Sequence, residues 1–358
     1  MIAFASTAWV VVVVPLRSEI LDNDLTQAYI AATIGRDHGW SHIYSLELQR
    51  QLFAQLRPDL VFNDGAWFTP GPPYAWLIYP LTYLSPAAAV YIWLALSVGA
   101  LIAAWWIAAP GTGSRRWLWL LGAFAWYPVL YGLSLVQPSL VMVLVVAAAW
   151  RLADTQRPYL AGVVLGLAVI KPQYVLALPL VLLIAGYWRI LVPLAFIGVV
   201  LGVVSLLSLG PDGLADYRAI LSHESQMANN RYFTLAYMVG PGPLSYAIPA
   251  VIAVITAAGA YLNRHASFAR LFALSLVAST FAATYWHLQD FALLVLAAWF
   301  FWRDQPPLWQ RVSLLLVVVG GEFAWGLTPL PVLAGIAVWF AYLVTPQAAA
   351  PKSVLAAA

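Results

Sequence analysis

The stretch PAAAVYIWLALSVGALIAAWWIAA, residues 86–109, decides what kind of molecule this is. It carries no charged side chain, and as a helix it reaches about 36 Å, enough for the ~30 Å hydrocarbon core of a bilayer. The rest of the chain agrees with it. Of 358 residues, 63% are hydrophobic and only 9% are charged, where soluble chains carry about a quarter. A soluble fold of this length cannot hide so much apolar surface from water. The expected class is an all-α polytopic membrane protein.

Working outward from residues 86–109 with shorter spans allowed inside a bundle, we expect about 12 transmembrane helices. They lie at 1–16, 86–109, 117–135, 138–150, 159–170, 172–187, 190–209, 241–263, 268–285, 291–302, 312–327 and 330–345, with Pro and Gly at most junctions. Residues 1–345 then form one transmembrane domain, followed by an Ala/Pro-rich cytoplasmic tail, 346–358. Met1 runs almost directly into apolar sequence, with no basic region or small-residue cleavage site, so no cleaved signal peptide is expected. Cysteine is absent, which excludes disulfides and thiolate chemistry. The net charge of +3 is too small to suggest nucleic acid as a partner.

The charges divide by side. Arg115, Arg116, Arg151, Arg157, Arg189, Arg264, Arg270, Arg303, Arg311 and Lys352 fall in one set of short loops, the mark of the cytoplasmic face. Eleven of the fourteen acids fall on the other side. Two outer segments are long, 17–85 and 210–240. The first holds helical stretches at Leu25–Ile34 and around Leu46–Leu56, then a Pro/Gly/aromatic run, Phe68 to Tyr74. Ala75–Leu84 is apolar but too short to span, so it is expected to be interfacial or re-entrant.

Asp24 stands out among the acids because it closely follows the first span and opens a helix. Two roles fit. A carboxylate at the water–membrane boundary is partly desolvated and becomes a better base, whereas Asp22, Asn23 or Asp24 can each cap the helix. Asp22 and Asp24 also form a D-x-D spacing of the kind that holds a metal beside a diphosphate, but no third ligand accompanies it. Lys171 ends a twelve-residue apolar stretch and is followed by Pro172, so it should sit below the outer surface. It either snorkels or meets an anion. His287 can donate to a phosphate or pair with Asp290. Arg218, His223, Asn229, Asn230 and Arg231 can close over an anionic headgroup, or be solvated. Most outer acids need only be solvated loop residues. Glu322, inside the eleventh span, is left without a role.

Four pieces, in order, resemble glycosyltransferase family 87, polytopic enzymes of the GT-C type that include mycobacterial phosphatidylinositol-mannoside mannosyltransferases. Asp24-Leu25-x-x-x-Tyr29-x-Ala31-Ala32 is similar to the family's signature after the first span. His42-Ile43-Tyr44 resembles a short aromatic motif. Phe68 to Leu84, with Pro72-Pro73 and Pro80-Leu81, resembles a Pro-Pro stretch. Ala161-Gly162-x-x-x-Gly166-x-Ala168-x-x-Lys171-Pro172 is similar to a Gly/Lys-Pro motif. Gln137-Pro138 departs from the family's Gly-Gln-x-Asn. Together the pieces cover about the first half of the chain.

The resemblance implies an inverting transferase that moves a sugar, usually mannose, from a polyprenyl-phosphate carrier to a lipid or glycan acceptor at the outer, periplasmic face of the plasma membrane. Asp24 would be the catalytic base, with Lys171, His287 and Arg231 on the donor phosphate. Asp22, Tyr29, Asn63, Asp64, Tyr74, Gln137, His223 and Asn230 are further candidates for substrate contact. A monophosphate donor requires no metal and no other cofactor. Two other functions fit a chain of this kind: a ligase or polymerase using a diphosphate-linked glycan, which calls for more paired outer arginines, and a secondary transporter. Transporters often show two related halves, and nothing later in the chain matches the long first outer segment.

Overall fold

The computed structural model describes residues 20–240 and 242–346, with Asn229 known by its backbone alone. The expected first span 1–16, Lys352 and nearly all of the tail lie outside these residues. All regular structure among the described residues is helical.

The first outer segment folds as three short helices. α1, Asp24–Asp37, is capped by Asn23, whose side chain accepts from the Thr26 amide at 3.2 Å. Its Leu25, Ala28, Ile30, Ala31, Ala32 and Ile34 are all buried. Gly35 allows the Trp40 ring to lie where a Cβ would be 2.5 Å from it. α2, Leu46–Leu56, is capped by Ser45. α3, Pro72–Ile78, begins on two prolines, which lack only amides that a helix start leaves unbonded, and continues as a 3-10 turn, Tyr79–Tyr83.

α4, Pro86–Ala108, then runs unbroken through the decisive stretch. The expected span 117–135 is instead two helices, α5 (Trp117–Ala125) and α6 (Tyr127–Ser134). Trp126 is extended and Pro128 follows it, so the helix must restart. Glu322 accepts from the freed Tyr127 amide at 3.1 Å, and the Trp126 indole donates to the Val318 carbonyl at 3.0 Å. Glu322 therefore closes a helix break. α7, Ser139–Asp154, is bent 118° from α6. The turn between them, with Val136 at φ 53, offers the Leu135 carbonyl and Gln137 to the start of α1.

α8, Pro158–Gly166, frays into a 3-10 turn and breaks at Lys171, after which a second 3-10 turn leads to α9, Leu178–Ile184. α8 packs on α10, Trp188–Glu224, through Gly162 and Gly166: a Cβ on Gly162 would strike the Ile190 carbonyl, and one on Gly166 would lie 2.5 Å from Ile197. α10 does not end near residue 209 as expected. It kinks at Gly210 (φ 61) ahead of Pro211 and stays helical to Glu224. The later part crosses the first outer segment so closely that a Cβ on Gly213 would strike the Ser41 carbonyl. α11 (Leu235–Met238), α12 (Pro243–Leu262), α13 (Phe268–Ala282), α14 (Leu293–Arg303), α15 (Leu308–Phe323) and α16 (Leu330–Val344) complete the bundle. α13 is buried on nearly every side and forms its centre.

Among the described residues three helices, α4, α10 and α12, are long and apolar enough to cross a membrane, and the bent pair α6–α7 adds a fourth if it is counted as one span. Four shorter apolar helical stretches, Pro158–Ile170, Pro172–Ile184, Phe268–Ala282 and Leu330–Val344, have 10–17 residues each. Only 6% of the most apolar window of α10 is buried, so lipid is its natural solvent.

Candidate active site

A cavity of about 810 Å³ opens where residues 64–74 and 217–246 meet the breaks at 135–137 and 170–173 and the turn at 284–289. Its wall mixes carboxylates, two cations, a histidine and many aromatic rings.

Asp24 lines it, partly buried. Because Asn23 takes the capping role, the Asp24 carboxylate is not committed to its own helix. Its Oδ2 accepts from Gln137 Nε2, and its amide donates to the Leu135 carbonyl at 3.1 Å. Burial pushes its pKa from 3.8 up to about 6, against the opposing pull of Gln137 and of the Lys171 charge. A carboxylate so placed is an effective base near neutral pH. The other half of the D-x-D spacing is turned elsewhere: Asp22 is exposed and sits 3.8 Å from Arg57. Among the described residues no three His, Cys, Asp or Glu side chains group to hold a metal.

Lys171 neither snorkels nor stands free. Its Nζ lies 2.5 Å from Asp290 Oδ1, and both side chains are largely buried. The Tyr174 hydroxyl is 2.7 Å from the same oxygen and 2.6 Å from Ser139 Oγ. With one proton, Tyr174 donates to the carboxylate and accepts from the serine. Asp290 Oδ2 takes the His287 backbone amide at 3.0 Å. The histidine and aspartate are thus linked through the main chain, and the His287 ring turns to Asn230, with Nε2 3.0 Å from Oδ1. Burial lowers the His287 pKa, which favours the neutral ring.

Arg231 also lines the cavity. Its guanidinium makes one hydrogen bond among the described residues, at 3.5 Å to the Ala236 carbonyl, and has no carboxylate partner among them. Tyr74 is buried in the wall, and its hydroxyl has no partner among those residues. Asp64 lies at the rim and meets His223 at 3.0 Å, tying the first outer segment to the second. Asn63 and Tyr29 do not reach the cavity: Asn63 caps Gly65, and the Tyr29 hydroxyl donates to the Leu84 carbonyl at 2.9 Å. Arg218 and His223 do not line it either, although the Leu221 and Glu224 beside them do.

The structure also adds residues. Glu224, an outer acid for which the sequence suggests only solvation, is 8% exposed and lines the cavity, which Tyr285, Tyr217 and Trp67 also line. The single hint in the sequence is that Glu224 stands just before the polar run Asn229-Asn230-Arg231.

Compared with known families, the chain matches the sequence model of glycosyltransferase family 87 over residues 68–329. No curated protein and no solved structure matches it. The matched stretch is well over half of the chain and takes in the cavity wall from Phe68 to Trp325. Asp24 lies ahead of it, so its place in the site rests on geometry.

Proposed function

The chain belongs to glycosyltransferase family 87, and on that premise we propose that it moves a sugar from a polyprenyl-phosphate carrier to a hydroxyl of a lipid or glycan, with inversion at the anomeric carbon. Mannose is the first candidate. The observation that carries this reading is Asp24, a carboxylate relieved of capping by Asn23, oriented by Gln137 and raised to about pKa 6 by burial at the cavity wall.

In the proposed step the acceptor oxygen attacks C1 of the sugar as Asp24 takes its proton. The bond from C1 to the phosphate oxygen breaks on the opposite face, and the electron pair leaves with the polyprenyl phosphate. Arg231 is the natural partner for the charge that grows there, being the cavity cation without a carboxylate of its own among the described residues. Lys171 adds to the field, reduced by Asp290. The donor bears one phosphate, so the chemistry asks for no metal. The apolar helices hold the site at the membrane, in a GT-C-like frame of about twelve spans. The bias of arginines to one set of loops supports a plasma-membrane protein with the cavity on the extracytoplasmic side.

The test is transfer itself. Purified protein in lipid, given polyprenyl-phosphate-mannose and membrane lipids, should label a lipid or glycan product, and the corresponding glucosyl and pentosyl donors rank sugar preference. Labelling only from a diphosphate-linked donor would replace this reading with the ligase.

A further inference from the structure

Glu224 is a buried carboxylate in the cavity wall that the transfer step leaves unused. It ends α10, and its Oε2 accepts from Asn230 Nδ2 at 2.6 Å. The same amide nitrogen also lies 3.1 Å from the Glu224 carbonyl. Since Asn230 turns its nitrogen to Glu224, its Oδ1 is the acceptor of the other bond, and the His287 proton is on Nε2. The Trp286 amide fixes the Asn230 carbonyl at 3.0 Å. His287 thus donates to Asn230 and Asn230 to Glu224, a chain that runs in one direction and ends on the carboxylate as acceptor. Its last member is held in one orientation, with Oε1 left unpartnered among the described residues.

A tie between two loops needs no free carboxylate oxygen, and a glutamine would serve it as well. Oε1 can only accept hydrogen bonds while the group is ionised, and it repels phosphate. Its fitting ligand is a neutral group rich in hydroxyl donors. The position along the chain says which. Asn230 precedes Arg231, the cation with no carboxylate of its own, and Asp24 lines the same cavity. A sugar esterified to a phosphate at Arg231 and attacked beside Asp24 would occupy the cavity that Glu224 and the rings of Tyr285 and Trp67 also line.

We propose that Glu224 Oε1 accepts a hydrogen bond from a ring hydroxyl of the donor's sugar, and that His287 acts through Asn230 as the positioning residue for that contact. This deepens the glycosyltransferase reading and rests on it.

Equilibrium binding to the Asp24→Asn protein, which keeps the donor intact, isolates the contact. The probes are polyprenyl-phosphate-mannose, its 2-, 3-, 4- and 6-deoxy analogues and polyprenyl phosphate without sugar. One deoxy analogue should bind about 10- to 100-fold more weakly than the parent, the range for a bond to a charged group. With Glu224→Gln added, the parent donor should weaken and that one penalty should shrink toward none, because Asn230 keeps the new side chain's oxygen and leaves its NH2 facing the cavity. His287→Phe should blunt the same penalty, and His287→Gln should preserve it. Affinity for polyprenyl phosphate alone should not move in any of these proteins.

A flat deoxy profile in the Glu224-bearing protein, or penalties that persist unchanged in Glu224→Gln, overturns the proposal. Loss of polyprenyl-phosphate binding in His287→Phe returns His287 to the phosphate. Either result can stand beside normal transfer by the protein with Asp24 intact, so it leaves the glycosyltransferase reading in place. Absence of transfer from every polyprenyl-phosphate sugar defeats both.

Discussion

At one end of the bundle Arg270 has a partner for each of its three side-chain nitrogens, while at the other Asp24, Glu224, Tyr74 and Arg231 keep bonding capacity in reserve. Arg270 gives Nε to Asn263 at 2.7 Å and Nη1 to Asp304 at 3.2 Å, and Nη2 reaches the carbonyls of Tyr342 and Thr345 at 2.9 and 2.6 Å. It ties together the ends of α12, α14 and α16 beside the start of α13. Along α13 the two ends are about 20 Å apart at 1.5 Å per residue. The polar side chains that meet at Arg270, Asn263 and Asp304, are tied to it and to the backbone around them, which is what a structural clamp requires. Those at the cavity end are not all so tied, and a buried polar group short of a partner is costly unless a ligand supplies it. The contrast separates scaffold from site without reference to any family.

The variants that would break this contrast can be ranked. Asp24→Asn should reduce transfer by about 10²- to 10⁴-fold, the usual contribution of a general base, with thermal stability kept or raised. The sign of the stability change follows from the pKa. A carboxyl raised from 3.8 to about 6 contributes stability that is complete below 3.8 and lost as pH climbs through about 6. Removing the charge therefore costs the fold nothing at neutral pH. Arg270→Met should do the reverse, destabilising by about 3–5 kcal/mol because Asp304 loses its buried partner, while the protein that does fold keeps its kcat and KM. Thermal melting in detergent alongside steady-state kinetics reads both. If the two variants behaved alike, the division into clamp and site would be wrong.

Lys171 lies between these extremes, since it is paired like Arg270 yet lines the cavity. Lys171→Ala should lower both melting temperature and donor affinity, because Asp290 is 1% exposed and would be left buried without its cation. Lys171→Met with Asp290→Asn should recover the stability. Weak donor binding that persists in the double variant places the Lys171 charge at the phosphate; full recovery makes the pair structural. The smallest expected effect is at Gly166→Ala, where the added methyl meets Ile197 and should cost about 1–3 kcal/mol. Its shift of α8 should reach transfer only through Lys171, as a change in KM rather than kcat.

What could be read in the sequence depended on distance along the chain. Hydropathy with Pro and Gly punctuation located α4, α12 and α16 to within a few residues, because a bilayer imposes length and helix starts tolerate proline. It read 117–135 as one span because an apolar run does not reveal that Trp126 is extended, and the compensating partner, Glu322, is far away in sequence. The same limit applied at the site. Asp22, Asn23 and Asp24 were equal candidates for the cap, and only the backbone geometry at Asn23 freed Asp24. Lys171 and Asp290, 119 positions apart, were both singled out without any means of pairing them. Glu224 falls where the sequence predicts a solvated loop, and its burial comes from α10 continuing beyond Gly210.

The most direct test of the account is the pH dependence of kcat/KM for transfer from polyprenyl-phosphate-mannose, measured beside single-turnover assays of Asp24→Asn. If Asp24 is the base, the rate rises as pH increases through about 6 and levels off above it, and Asp24→Asn binds donor but fails to convert it. A rate that is level from pH 5 to 8, or normal turnover by Asp24→Asn, would contradict the account.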